Sequence, residues 1–343
     1  MVAQKEYSLL KSTIDVIAFL LIAAVHIACS IVKALIPDAY RSQKSIKDEV
    51  VVITGGGGGL GRLLALRLST LNAIVVLWDV NEDALKETVR HVEEQGGKAY
   101  AYKCDITNRE DVYKTAERTA REVGQVSILI NNAGVVSGYL LLDTPDHLIQ
   151  RTFEVNAISH FWTTKAFLPK MIENSNGHII TVSSMAGHTG TAKLVDYCSS
   201  KFAAVGFDEA LRVELESLGV NGVKTTLVCP YFIQSTGMFT DVQTRFIRIL
   251  KSSEVADRII TGILREEVHV FIPSIFRYTF WTKWIFPWSI VSMYLRNIVI
   301  DVAPTHKSRI QRKVSAYNVE KIKANIMNSS NDAHCISANG RKL

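Results

Sequence analysis

Between residues 48 and 273 short β-branched runs alternate with helical patterns, as in a doubly wound α/β sheet of parallel strands, and an apolar segment fit to anchor in a membrane precedes them. Three observations carry that reading. Helical patterns follow the runs, the first run ends in a row of glycines that opens a helix, and about twenty apolar residues stand near the N-terminus. Composition agrees with it. At 343 residues, 48% hydrophobic and 21% charged, the chain can form one large domain with appendages.

Residues 1–40 read as the membrane anchor. Within 16–36 only His26 and Lys33 are strongly polar, and Lys33 is close enough to one end to snorkel. The stretch is apolar all round, unlike a soluble core helix, and longer than the apolar core of a cleaved leader. Lys5 and Lys11 precede it, whereas Arg41, Lys44 and Lys47 follow, a slight excess that favours the cytosolic side for the main domain. Hydropathy is compatible both with spanning and with lying in one leaflet.

Val50, Val51, Val52 and Ile53 make a continuous run of the kind buried on both faces of a sheet. Thr54 and the glycines from Gly55 to Gly59 come next, then Leu60, Gly61 and a helical leucine pattern. Strand, glycine turn and helix in that order suit a pyrophosphate site in a Rossmann-type sheet, because glycine admits the phosphates and the helix N-terminus offers N–H groups. A second strand over 73–78 ends at Asp79. A carboxylate there accepts both ribose hydroxyls and repels a 2′-phosphate, so with the non-basic Val80 it predicts NAD, with NADP as the alternative. Capping the turn before Asn81 is the plainer role open to the same residue. A third strand, 98–103, leads to Cys104, Asp105, Ile106 and Thr107, and the spacing of Thr107 and Glu110 predicts a capping box for the next helix. The fourth, 127–130, runs into Asn131, Asn132, Ala133 and Gly134.

The fifth strand delivers Ser183 and Ser184, and Tyr197 and Lys201 follow one helical turn apart, so that they share a helix face. A phenol titrates near pH ~10 and serves as acid or base at neutral pH only if its phenolate is stabilised, which an ammonium does. The sixth strand, over 223–230, ends at Pro230 ahead of Tyr231.

In this order and spacing, Thr-Gly-x-x-x-Gly-x-Gly, Asn-Asn-Ala-Gly and Tyr-x-x-x-Lys resemble the short-chain dehydrogenase/reductase family over residues 48–273. The resemblance implies catalytic Asn156, Ser184, Tyr197 and Lys201, with Ser183 the other candidate serine, and substrate contact through Ser184 and Tyr197. Asn156 is placed in a helix over 151–156, holding a water that connects Lys201 to solvent. Cofactor contacts are implied for Thr54, Gly55, Gly59, Leu60, Gly61, Asp79, Asp105, Ile106, Asn132, Ala133, Gly134, Tyr197, Lys201, Pro230, Ile233 and Ser235. Two departures stand out. Tyr231 occupies a position where most members carry Gly, and the glycine run is unbroken where Ala or Ser is usual.

The anchor, the triplet Leu77-Trp78-Asp79 and the stretches 161–169 and 224–230 resemble the membrane-bound retinol dehydrogenases, the epidermal retinol dehydrogenase 2 group in particular. Lipid-droplet 17-beta-hydroxysteroid dehydrogenases come second. The activity so implied is NAD-dependent oxidation of a lipophilic alcohol, all-trans-retinol to retinal, on the cytosolic face of the endoplasmic reticulum or on lipid droplets. A non-catalytic lipid-surface scaffold is the competing reading, against which the complete set of four residues counts.

Residues 274–304 concentrate aromatic residues, Trp281, Trp284 and Trp288 among them, with Arg277, Lys283 and Arg296 interspersed. That mixture suits a membrane interface, and equally a substrate lid or dimer surface, so a homodimer is left open. The tail 305–343 carries eight Lys and Arg against Glu320 and Asp332, the whole of the chain's net +6. Without a basic surface interleaved with aromatics, no nucleic-acid partner is expected. Five dispersed cysteines and nine scattered histidines predict a reducing compartment and no metal.

Overall fold

The computed structural model describes residues 2–36, 40–234, 238, 242–280 and 282–302. Ser235, Trp281 and the basic tail lie outside them. The chain divides into two units, Met1–Lys44 and Ser45–Leu343. The first is built on one helix, α1 (Val2–Leu35), in which Lys11–Val32 is 22 residues long, apolar enough to cross a bilayer and nowhere buried. At ~1.5 Å per residue it spans roughly the ~30 Å of a hydrocarbon core.

The strands of the second unit are β1 (Val50–Thr54), β2 (Ile74–Asp79), β3 (Lys98–Lys103), β4 (Val126–Asn131), β5 (Gly177–Val182), β6 (Val223–Pro230), β7 (Gln243–Thr244), β8 (His269–Ile272) and β9 (Val299–Asp301). Seven of them pair in parallel in the order β3-β2-β1-β4-β5-β6-β8, and β7 pairs antiparallel with β9. The helices between are α2 (Gly59–Thr70), α3 (Glu82–Glu94), α4 (Arg109–Glu122), α5 (Asp146–Phe153), α6 (Ser159–Glu173), α7 (Val195–Ser217) and α8 (Ser252–Leu264).

Alternation along β1 accounts for the two layers. Val51 and Ile53 pack with Leu64, Leu85 and Val255 of α2, α3 and α8, whereas Val50 and Val52 pack with Val112, Phe167 and Leu215 of α4, α6 and α7. A strand covered on both sides has no use for polar residues, hence the unbroken β-branched run. Strand order reverses at β1 and β4, and the crevice beyond their carboxyl ends is where such sheets bind ligands.

Two local expectations need correction. The cap of α4 is Asn108, whose side chain accepts from Asp111 N at 3.2 Å; Thr107 lies one residue before the cap, its hydroxyl and N–H both donating to Asp105 Oδ1 at 2.7 and 3.0 Å. Asn156 sits in a π-helical turn, Glu154–Ile158, inserted between α5 and α6, and not in a regular helix over 151–156. Such turns widen a helix by one residue and are frequent at functional sites. Beyond β8 the aromatic segment folds into α9 (Phe276–Thr279), α10 (Thr282–Ile285) and α11 (Trp288–Ile298), and β9 ties its end to β7.

Candidate active site

At the carboxyl ends of β1 and β4 the backbone closes on itself through Thr54. Its buried hydroxyl accepts from Asn132 N at 3.0 Å and Ala133 N at 3.1 Å, and Asn132 Nδ2 returns a bond to Thr54 O at 2.9 Å. This clamp fixes the mouth of the crevice. The glycine turn passes directly over it: Gly55 has φ +67°, and a Cβ on Gly61 would stand 2.1 Å from Gly55 O, so glycine is obligatory at both. At Gly58, by contrast, an added Cβ meets nothing within 4 Å.

Asp79, at the end of β2, accepts from Gly57 N at 3.0 Å through one oxygen and from Asn81 N at 3.0 Å through the other. The turn-capping role is therefore real. It does not compete with the ligand role, since Asp79 also lines the cavity and a carboxylate has further lone pairs.

On the far side, β5 and α7 bring the polar side chains together. Ser184 Oγ accepts from Ala186 N at 3.1 Å and is hydrogen-bonded to the Tyr197 side chain. Ser183 Oγ instead donates to Lys201 O at 3.0 Å, turned towards the α7 backbone. Lys201 Nζ donates to Val182 O at 2.9 Å and lies 5.8 Å from the centre of the Tyr197 ring. Burial draws this lysine down from 10.5 to about 8. Burial likewise raises the Tyr197 phenol above its ordinary value, with the Ser184 hydrogen bond pulling the other way. Desolvation is the largest influence on both groups. Asn156 is fully buried, its Oδ1 accepting from Val135 N at 2.8 Å and its Nδ2 donating to Val135 O at 2.9 Å and Ser200 Oγ at 3.0 Å. It pins the loop after β4 to α7.

These groups face one cavity of about 340 Å³. Gly55, Gly59, Leu60, Asp79, Asn132, Ala133 and Gly134 line one end, and Ser184, Tyr197, Lys201, Pro230 and Ile233 the other. Thr54, Gly61 and Asn156 stand behind its wall as braces. Asp105 is exposed and committed to Thr107, and Ile106 is buried among Trp78 and Val112 in a core cluster, so neither joins the lining.

Sequence reasoning missed much of the remaining wall. Thr191 and Leu194 carry no signal, but Tyr231 is the departure already noted, and Phe276 and Phe280 belong to the aromatic segment. Tyr231 stacks on Phe276 at 5.6 Å between ring centres. Alcohol, hydrogen-bonded phenol and ammonium at one end of an apolar cavity, with a glycine turn and a carboxylate at the other, can position a dinucleotide against a small apolar alcohol.

The model of the family described as short chain dehydrogenase matches residues 49–245. Among curated proteins, the human (Homo sapiens) estradiol 17-beta-dehydrogenase 11 is 43% identical over 304 residues, 88% of this chain and 100% of its own length. Human epidermal retinol dehydrogenase 2 is 44% identical over 258 residues, 74% of this chain and 82% of its own. A short-chain dehydrogenase/reductase from Burkholderia phymatum, solved in complex with NAD, superposes with a TM-score of 0.62 at 25% identity, covering 69% of this chain and 93% of that one.

Proposed function

The chain belongs to the short-chain dehydrogenase family, and from that membership we propose that it oxidises a lipophilic alcohol, all-trans-retinol to retinal, with NAD at a membrane surface. It is an oxidoreductase acting on alcohols with NAD(P). The observation that carries the finer reading is the single cavity with Ser184, Tyr197 and Lys201 at one end and the glycine turn with Asp79 at the other.

The glycine end fits a dinucleotide. Open space over Gly58 leaves room for a pyrophosphate at the N-terminus of α2, and Asp79 is held in place to receive a ribose. A nicotinamide held there would supply the hydride acceptor for the carbinol carbon. Tyr197 removes the hydroxyl proton, and Ser184 donates a hydrogen bond to the same oxygen as it becomes a carbonyl. Lys201, held against Val182 O beside the phenol ring, keeps positive charge near the phenolate that takes that proton. Asn156 acts through Val135 and Ser200, as a positioning residue.

Phe276, Phe280 and Val291 in the wall favour an apolar substrate, and the exposed apolar helix α1 favours life on the cytosolic face of the endoplasmic reticulum or on lipid droplets. A 17-beta-hydroxysteroid is the second reading, because the estradiol dehydrogenase aligns over its whole length. Purified full chain assayed with NAD and with NADP against retinoids, steroids and fatty alcohols separates these. The proposal expects retinol with NAD to give the highest kcat/KM; a preference for NADP overturns the reading of Asp79, and a preference for a steroid overturns that of the substrate.

A further inference from the structure

The C-terminal helices have two unlike faces. Inward, Phe276, Phe280, Val291 and Ile298 line the cavity, and Val291, Leu295 and Ile298 form one stripe along α11. Outward, Tyr278 is 70% exposed, Trp284 83%, Ile285 71%, Trp288 67% and Met293 55%. Scattered apolar residues are normal on a surface, but five large ones within sixteen positions of one segment are not. Arg277, Lys283 and Arg296 accompany them, and the one acid between 275 and 302, Asp301, is already paired with Lys193 at 2.8 Å. The face is therefore both apolar and cationic. Tryptophan and tyrosine rings with lysine and arginine heads are the mixture that settles at the headgroup level of a bilayer.

Lys283 links the two faces. Its ammonium lies 5.9 Å from the Trp284 ring and donates to His188 O at 3.3 Å, while the same residue reaches the cavity wall. We propose that the outward face of α9 to α11 docks on an anionic lipid leaflet, so that the roof of the cavity is also its membrane contact and the alcohol enters from the bilayer. This deepens the lipophilic-alcohol reading and rests on it for the identity of what enters. Basic residues near an anionic leaflet are attracted to it, so charge and apolar burial act together. Meanwhile the β7–β9 pair and the Lys193–Asp301 bridge hold the end of the segment to the domain.

The test uses the full chain in vesicles of phosphatidylcholine and phosphatidylserine with brominated acyl chains. Wild type should show tryptophan quenching that falls in the Trp284→Ala/Trp288→Ala variant. In parallel, kcat/KM for a long-chain alcohol dissolved in the bilayer should drop roughly tenfold, as expected for losing burial of large apolar side chains, with turnover of a short water-soluble alcohol unchanged. Equal quenching in both proteins, or equal losses on both alcohols, overturns the docking. So does a concentration-dependent dimer abolished by the substitutions without lipid quenching, which would give the face to a second copy of the chain. If wild type oxidises neither alcohol, the reaction reading fails, whereas the quenching still decides the docking.

Discussion

An ammonium buried beside a phenol costs stability, and Lys201 carries that cost for the site. With its value drawn from 10.5 down to about 8, Lys201 is charged in folded and unfolded chains alike below pH 8, and the whole penalty is felt there. From about 8 upwards the unfolded chain holds a proton that the folded one has released, so stability rises with pH through that window. Lys201→Met lacks the effect. Its melting temperature should exceed that of wild type at pH 7 and the gap should narrow towards pH 10; a gap independent of pH would show that burial is not what depresses the lysine. At this scale the sequence was informative about which side chains meet and silent about what their surroundings do to them. Tyr-x-x-x-Lys places two groups on one helix face, but desolvation depends on how far tertiary packing buries them, here to 5% and 3% exposed. The braces Thr54 and Asn156 were read as cofactor or water ligands because spacing cannot distinguish a residue in a wall from the one behind it.

Among the elements, the glycine turn separates positions that glycine must fill from those it merely occupies. A Cβ at Gly61 runs into the Gly55 carbonyl, whereas Gly58 has extended φ of −156° and open space, inside the cavity. Gly61→Ala should fail to fold or melt well below wild type. Gly58→Ala should melt normally and keep its NAD affinity, measured by cofactor fluorescence, since the added methyl meets nothing within 4 Å and Ala is usual inside this turn in the family. A large loss of NAD affinity in Gly58→Ala would contradict this division of the turn. Strands were the most legible elements, because burial on both faces demands β-branched runs and leaves a continuous signal. Helix starts were less so. The Thr107 box was a sound local pattern that fell one residue short of the cap, and the π-helical turn at Asn156 has no periodicity of its own to betray it.

For the whole molecule, six of the seven strands of the central sheet were legible and the edge strand β8 was not, whereas the C-terminal helices were visible only as composition. Their aromatic residues divide between a cavity wall and an exposed face, a division set by tertiary packing that a count of tryptophans cannot reveal. If the fold gathers Tyr197, Ser184 and Lys201 to oxidise a lipophilic alcohol, NADH formation from all-trans-retinol by full-length protein in phospholipid vesicles must depend on Tyr197, which wild type measured beside Tyr197→Phe decides. Loss of the acid–base group should cut kcat by about 10²–10⁴ while NAD affinity and melting temperature stay as in wild type. Turnover of the phenylalanine variant within a few-fold of wild type would contradict the account.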